Sequence, residues 1–145
     1  MVIALIGDSC TGKSTIADIL KMKTGADVFS GKDYLKMAKN ADVAKKVFSD
    51  LLMEKQDLQR HVVYVISEEE HLELLPEKSI RILLKADIDI IKKRFSARMN
   101  GSMPQPVEAM LERKHGIFDS VNCDMDFDTG YGNPDEICRE IMEAL

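Results

Sequence analysis

The chain has 145 residues, of which 45% are hydrophobic and 31% charged, and its formal net charge is -5. This length fits one domain, and the composition excludes a disordered, collagenous or fibrous chain. The acidic balance argues against a broadly basic nucleic-acid-binding protein. The apolar run over residues 1–6 is too short to span a membrane, and no basic segment precedes it. We therefore expect a cytoplasmic protein with neither a nucleic-acid nor a membrane partner.

The first half of the chain alternates short apolar runs with helical patterns. The unbroken apolar run over residues 1–6 ends in glycine and predicts a buried strand. A helix over residues 13–22 and a weak strand over residues 26–29 follow. Two further helices are predicted, one near residues 33–38 and a longer one over residues 42–58.

The longer helix has an apolar face, and its lysines are turned outward. The apolar residues that keep helical spacing in it are Val43, Val47, Leu51 and Leu58. We therefore expect this set to form the buried stripe of the helix. Strong strands are then predicted over residues 61–66 and 80–84, because both segments are rich in Val, Ile and Leu. A helix over residues 87–99 comes next and stops at Asn100-Gly101.

The last third of the chain begins with a turn over residues 101–106. Pro106 suits the first turn of the next helix. The apolar residues that continue this helix are Val107, Met110, Leu111, Ile117 and Phe118. A short strand over residues 125–128 and a helix capped by Asn133 complete the pattern. Alternation of this kind predicts one α/β domain, with five strands in a parallel sheet and helices on both faces.

One motif carries most of the chemical information. The segment from Gly7 to Ser14 matches G-x-x-x-x-G-K-[ST], between a predicted strand and a predicted helix. Glycines let the backbone N–H groups wrap a phosphate, and the helix N-terminus adds positive potential there. Lys13 can reach the β- and γ-phosphates, and the Ser14 hydroxyl can ligate Mg²⁺. The residues predicted to bind the nucleotide are Gly7, Asp8, Ser9, Cys10, Thr11, Gly12, Lys13, Ser14 and Thr15.

The predicted helix over residues 87–99 is basic on one side. Arg94 and Arg98 are four residues apart and share a face that differs from its apolar stripe. One interpretation is a solvated basic face. The other is a mobile lid with its tip near residues 100–106. Its two guanidinium groups would meet a transferring phosphoryl group, or one of them would stack on the nucleotide base. Arg113 then begins the return from the lid.

Three stretches of the sequence resemble the nucleoside monophosphate kinase-like group of P-loop kinases, in particular its cytidylate kinase-like and shikimate kinase-like members. They are residues 1–15, residues 80–99 and residues 126–145, about half of the chain together. The first is specific for the superfamily, and the other two resemble the family in pattern. The resemblance implies a three-layer P-loop NTPase fold, as one domain over residues 1–145 with a short lid near residues 94–113.

The resemblance also implies that the protein uses ATP and Mg²⁺. In that family, phosphates and Mg²⁺ are held by the residues matching Gly12, Lys13, Ser14 and Thr15. Arginines matching Arg94 and Arg98 come from the lid helix, and one matching Arg113 follows the lid. The loop over residues 129–133 matches the segment that borders the adenine.

The acidic residue for the Mg²⁺ shell departs from the family pattern. Family members usually carry it near the end of the second or third strand, whereas here Ser67 and Glu68 follow the third strand. Asp33, after the second strand, is the better candidate to join Ser14 at the metal or to take a proton from an acceptor hydroxyl. Two alternatives stay open: Asp33 caps the helix that starts there, or Glu68 serves the ion.

The predicted function is ATP-dependent transfer of a phosphoryl group to a nucleoside, a nucleotide monophosphate or a small hydroxyl metabolite. The residues predicted to be catalytic are Lys13, Asp33, Arg94, Arg98 and Arg113. True monophosphate kinases grip the acceptor phosphate with arginines between the second and third strands, where this chain has only Arg60. That favours a hydroxyl compound or a nucleoside. The alternative function is a nucleotide-binding ATPase or switch protein without a small-molecule acceptor. The sequence leaves the acceptor, the donor base and the oligomeric state open.

Overall fold

The structure is a computed structural model of the chain, and it describes residues 1–56 and 60–145. The strands are β1 (Val2–Ile6), β2 (Asp27–Ser30), β3 (Val62–Ile66), β4 (Ile80–Lys85) and β5 (Met125–Asp128). The α-helices are α1 (Lys13–Thr24), α2 (Ala41–Gln56), α3 (Ile88–Arg98), α4 (Gln105–Lys114) and α5 (Pro134–Glu143). Two 3₁₀ helices, Gly31–Met37 and Glu69–Leu74, follow β2 and β3.

The five strands form one parallel sheet in the order β2-β3-β1-β4-β5. Every residue of the inner strands β1 and β3 is buried, which is why their sequences are unbroken apolar runs. The predicted parallel five-stranded sheet is therefore confirmed, and its strand bounds differ from the predicted ones by at most one residue. Because parallel strands end at the same edge, the segments after β1, β2 and β3 come together there.

Helices cover both faces of the sheet, because successive side chains of β1 point in opposite directions. Val2, Ala4 and Ile6 lie in the apolar cluster that includes the buried face of α2. Ile3 and Leu5 lie in the cluster that includes α1 and α5. This arrangement gives the three layers that the sequence predicted.

The buried stripe predicted for α2 is wrong by one position along the helix. Val43 and Val47 are 52% and 43% exposed. The residues that α2 buries are Ala44, Phe48 and Leu52. The ring of Phe48 packs edge-on against Tyr64 of β3, with the ring centroids 4.9 Å apart. This aromatic contact fixes the rotation of the helix, and Leu58 lies outside the described residues.

The helix predicted to run on to Phe118 ends earlier. The last residue of α4 is Lys114, and Gly116 follows with a left-handed φ of 79°. Glycine adopts this conformation readily, so it ends the helix there. Phe118 is buried nevertheless, from a turn rather than from a helix. Among the helices of the described residues, none combines the length and the apolar character that a membrane span requires.

Candidate active site

The loop between β1 and α1 has a backbone shaped to surround an anion. Cys10 and Gly12 take left-handed φ angles of 62° and 91°. Alternation of such conformations with ordinary ones turns successive backbone N–H groups toward a common point. Gly7 has no room for a side chain, because a Cβ there would lie 2.3 Å from the carbonyl oxygen of Leu84. The backbone of this loop can therefore turn N–H groups toward an anion, which is the chemistry that the sequence predicted for it.

Lys13 is the first residue of α1, and its side chain lies beneath this loop. The residue is only 5% exposed, and its ammonium group donates a hydrogen bond to the carbonyl oxygen of Asp8. Burial lowers the pKa of Lys13 to about 8, and the charge of Arg98 acts in the same direction, whereas Asp8 and Cys10 oppose the shift. A phosphate bound in the loop would supply the negative charge that this buried ammonium group needs.

Arg94 ties the phosphate loop to the segment after β5. Its guanidinium group donates to the carbonyl oxygen of Cys10 at 3.0 Å, and to the hydroxyl and carbonyl oxygens of Thr129 at 3.0 and 2.9 Å. The Thr129 hydroxyl in turn donates to the carbonyl oxygen of Thr11 at 2.7 Å. Arg94 was predicted to meet the transferring phosphoryl group or to stack on the base, and in the structure it bridges two loops of the site.

Two pockets open on either side of the phosphate loop and share Gly12 and Arg98. The β3-side pocket has a volume of about 430 Å³. Its lining residues are Ser9, Cys10, Gly12, Lys13, Ser14, Ser30, Gly31, Lys32, Val65, Ser67, Glu68, His71 and Arg98. The β5-side pocket has a volume of about 320 Å³. Its lining residues are Gly12, Thr15, Ile16, Arg94, Ala97, Arg98, Thr129, Pro134 and Ile137.

The two remaining arginines that the sequence singled out differ in position. Arg98, at the end of α3, lines both pockets. Arg113, in the last turn of α4, is exposed and lines neither of them. Of this pair, the structure brings only Arg98 to the phosphate loop.

The carboxylate of Asp33 is engaged in a cap. Its Oδ2 accepts a hydrogen bond from the backbone N–H of Ser30 at 2.8 Å, and the two residues form a capping box at the start of the first 3₁₀ helix. The neighbouring residues 30–32 line the β3-side pocket, and Asp33 is not among the lining residues. The capping interpretation, left open by the sequence, accounts for this geometry.

Asp8 also points away from the anion-binding centre of its loop. Its Oδ2 accepts a hydrogen bond from the backbone N–H of Gly116 at 3.1 Å and lies 3.5 Å from Nδ1 of His115. The side chain of Asp8 thus connects the phosphate loop to the segment that follows α4.

Sequence reasoning missed the side chains that form the far wall of the β3-side pocket. Lys32 and His71 both line it, and His71 is a buried residue of the second 3₁₀ helix. The signal that could have found them is topological. Residues that follow adjacent parallel strands share one edge of the sheet, so the segments after β2 and β3 had to be candidates.

Comparisons with known proteins agree with this architecture. Neither the comparison with protein-family models nor the search of curated proteins gives a match for this sequence. Solved structures do match. The YorR protein of Bacillus subtilis, determined in complex with phosphorylated GDP, has a TM-score of 0.68 at 22% identity, covering 99% of this chain and 95% of its own.

Two small-molecule kinases are also similar. Shikimate kinase from Acinetobacter baumannii, in complex with shikimate, has a TM-score of 0.66 at 16% identity, covering 99% of this chain and 91% of its own. A gluconokinase from Sinorhizobium meliloti has a TM-score of 0.62 at 16% identity, covering 98% and 89%. At these identities the likeness establishes the fold, and the chain has the P-loop kinase fold that the sequence resemblance implied.

Proposed function

We propose that this protein transfers the γ-phosphoryl group of Mg-ATP to a small acceptor. The observation that carries the proposal is the meeting of the two pockets at Gly12 and Arg98, beside the buried amine of Lys13. A nucleotide with its base in the β5-side pocket and its phosphates along the loop would have its terminal phosphate at the β3-side pocket. An acceptor in that second space would face the terminal phosphate.

The β5-side pocket suits a nucleotide base. Ile16, Pro134 and Ile137 supply apolar surface, and the planar guanidinium group of Arg94 is held in position by Cys10 and Thr129. Apolar walls with a few fixed polar groups are typical of cofactor sites. A planar cation can also stack on an aromatic base. These features support a nucleotide as the donor.

The chain also offers ligands for Mg²⁺. The hydroxyl of Ser14 lies in the first turn of α1 and lines the β3-side pocket, as a metal ligand next to the phosphates would. Asp33 was predicted to join it, but its Oδ2 accepts the backbone N–H of Ser30 and the residue does not line this pocket. Glu68 does line the pocket. When bound, Mg²⁺ supplies positive charge that neutralises the phosphates.

Catalysis by this chain would consist of positioning and charge neutralisation. Lys13 would donate to the phosphate oxygens once an anion replaces the carbonyl of Asp8 as its partner. Arg98 would contribute a second positive charge from the lid helix. Arg94 would hold the phosphate loop and the β5-side pocket in fixed relative positions through its hydrogen bonds to Cys10 and Thr129. Arg113 would reach the phosphates only if α4 moved toward the loop.

The test is acceptor-dependent formation of ADP. The purified protein is mixed with Mg-ATP and separate panels of nucleosides, nucleoside monophosphates and small polyols or hydroxy acids. We expect one panel to stimulate ADP release well above the rate without an acceptor. ADP formation that is independent of every acceptor would support the ATPase alternative. Absence of both ADP and stabilisation of the protein by ATP would contradict the nucleotide site itself.

A further inference from the structure

A second feature of the β3-side pocket points to a ligand that the proposed function does not use. His71 is only 2% exposed, and neither of its ring nitrogens has a hydrogen-bond partner in the part of the chain that the structure describes. A buried polar group without a partner is costly in free energy, so such a group is usually completed by water, a ligand or an ion. The ring packs edge-on against Tyr34, with centroids 5.8 Å apart, and that contact satisfies neither nitrogen.

Two carboxyl groups converge on this imidazole. Nε2 of His71 lies 3.9 Å from Oε1 of Glu70. One ligand atom each from Glu68, Glu70 and His71 fall within 4.8 Å of one another.

We propose that Glu68, Glu70 and His71 bind a divalent transition-metal cation in the wall of the β3-side pocket. A tetrahedral ion with ligands at about 2.1 Å would set ligand atoms about 3.4 Å apart, close to the observed 3.9 Å between Glu70 and His71. The three ligand atoms already lie within 4.8 Å of one another, and the Glu70 side chain is exposed and free of packing constraints. One imidazole and two carboxylates suit Mn²⁺ or Zn²⁺ better than Mg²⁺, which prefers oxygen ligands and water.

This site shares only Glu68 with the candidate ligands of the nucleotide's Mg²⁺. Glu70 and His71 belong to the 3₁₀ helix after β3, whereas Ser14 belongs to α1. Its ligand set includes a nitrogen, and no phosphate oxygen is needed to complete three protein ligands. Binding should therefore occur without nucleotide. Since the proposal concerns metal binding alone, it is tested independently of kinase activity.

The experiment uses the full chain after treatment with EDTA and its removal. Mn²⁺ is titrated without nucleotide and followed through the EPR signal of free aqueous Mn²⁺, and Zn²⁺ binding is followed by calorimetry. We expect one ion per chain, little competition from Mg²⁺, and a loss of at least about tenfold in affinity in Glu70→Gln. Glu69→Gln is the matched control, because Glu69 is an exposed neighbour outside the cluster, and it should bind as the wild type does.

Two further variants separate this site from others. Ser14→Ala should leave nucleotide-independent binding unchanged, and His71→Ala should abolish it if the variant folds. Glu70→Gln alters an exposed side chain, so it remains decisive if His71→Ala unfolds. Absence of stoichiometric binding of both ions would overturn the proposal. So would equal affinity of Glu70→Gln and Glu69→Gln, or binding that requires nucleotide and is lost in Ser14→Ala.

Discussion

The two walls of the candidate active site are held in different ways. On the phosphate-loop side the polar groups are paired within the protein: Lys13 donates to Asp8, and Arg94 donates to Thr129. On the β3 side, the buried nitrogens of His71 have no partner among the described residues, although the carboxyl groups of Glu68 and Glu70 lie near the ring. The polar groups named on the first wall therefore have protein partners, whereas the imidazole on the second wall does not.

This difference indicates how the two halves would behave on binding. Groups that are already paired keep their geometry before a ligand arrives, so little ordering is needed when a nucleotide binds. Groups that are unpaired gain their partners from the ligand, so selectivity for what binds on the β3 side should depend on a few side chains. Substitutions at the phosphate loop, at the two arginines and at Asp33 test this contrast through their effects on turnover.

Removing the amine of Lys13 should have the largest effect on turnover. In Lys13→Ala we expect the rate of phosphoryl transfer to fall by about a thousandfold or more, because the positive charge nearest the phosphates is lost. Folding should be retained, since a buried ammonium group carries a desolvation penalty that alanine does not. Steady-state ADP release and thermal unfolding are measured together. Lys21→Ala, at an exposed lysine of the same helix, is the control that should leave both unchanged.

Arg98 and Arg113, which flank the tip of the predicted lid, should differ strongly in their effect on turnover. Arg98→Ala should lower kcat by about a hundredfold, because this guanidinium group lines both pockets. Arg113→Ala should change kcat by less than about threefold, because its exposed side chain lines neither pocket. Kinetics of both variants at saturating ATP provide the comparison. Similar losses in the two would mean that α4 closes over the loop during turnover, and would restore the catalytic role predicted for Arg113.

The fold was predictable where local pattern and tertiary structure agree. Strands β1 and β3 are buried on both faces, so their unbroken apolar runs identified them. The predicted buried stripe of α2 was wrong because several rotations of that helix would place apolar residues against the sheet. The one adopted buries Phe48 against Tyr64, an aromatic contact between residues far apart in sequence. Helical spacing alone therefore does not report which rotation packs best.

The candidate site was predictable on one side for a related reason. The phosphate loop is a continuous segment whose backbone N–H groups would hold the phosphate. Its residue types therefore recur at a fixed spacing that can be identified from the sequence. The partners of Arg94 and the group around His71 depend on side chains from segments that meet only in the fold. Asp33 shows that sequence position can also suggest a role that the local structure does not favour. Its carboxylate lies where an acidic residue was expected, but it caps the 3₁₀ helix that begins there.

The pH dependence of nucleotide binding should report the buried lysine. Its pKa of about 8 lies below that of an ordinary lysine, and a bound polyphosphate would raise it. The free protein therefore loses the ammonium charge above pH 8, and ATP affinity should fall by up to about tenfold per pH unit there, with uptake of a proton on binding. Calorimetry at several pH values, in buffers of different ionisation enthalpy, measures both.

The lowered pKa of Lys13 also affects the stability of the free protein, and here the trend with pH is opposite to that of ATP affinity. Above pH 8 the unfolded chain, with its ordinary lysine pKa, binds more protons than the folded one, so this group's contribution to the free energy of unfolding rises with pH. Lys13→Arg is the control for binding, because guanidinium stays ionised and its ATP affinity should be nearly flat above pH 8. A flat profile in the wild type would mean that the lysine is not desolvated.

Asp33→Ala should have the smallest effect on turnover. Asp33 directly follows residues 30–32, which line the β3-side pocket. If the carboxylate acts as a cap, its loss should cost about 1 kcal/mol in the free energy of unfolding and change turnover by less than about threefold. Denaturant unfolding and ADP release in the same preparation measure the two quantities. Asp18→Ala, at an exposed acidic residue of α1, is the control. A hundredfold loss of turnover with unchanged stability would instead place Asp33 at the Mg²⁺ shell or the acceptor proton, because only a carboxylate that leaves its cap during the reaction could be dispensable for folding and essential for transfer.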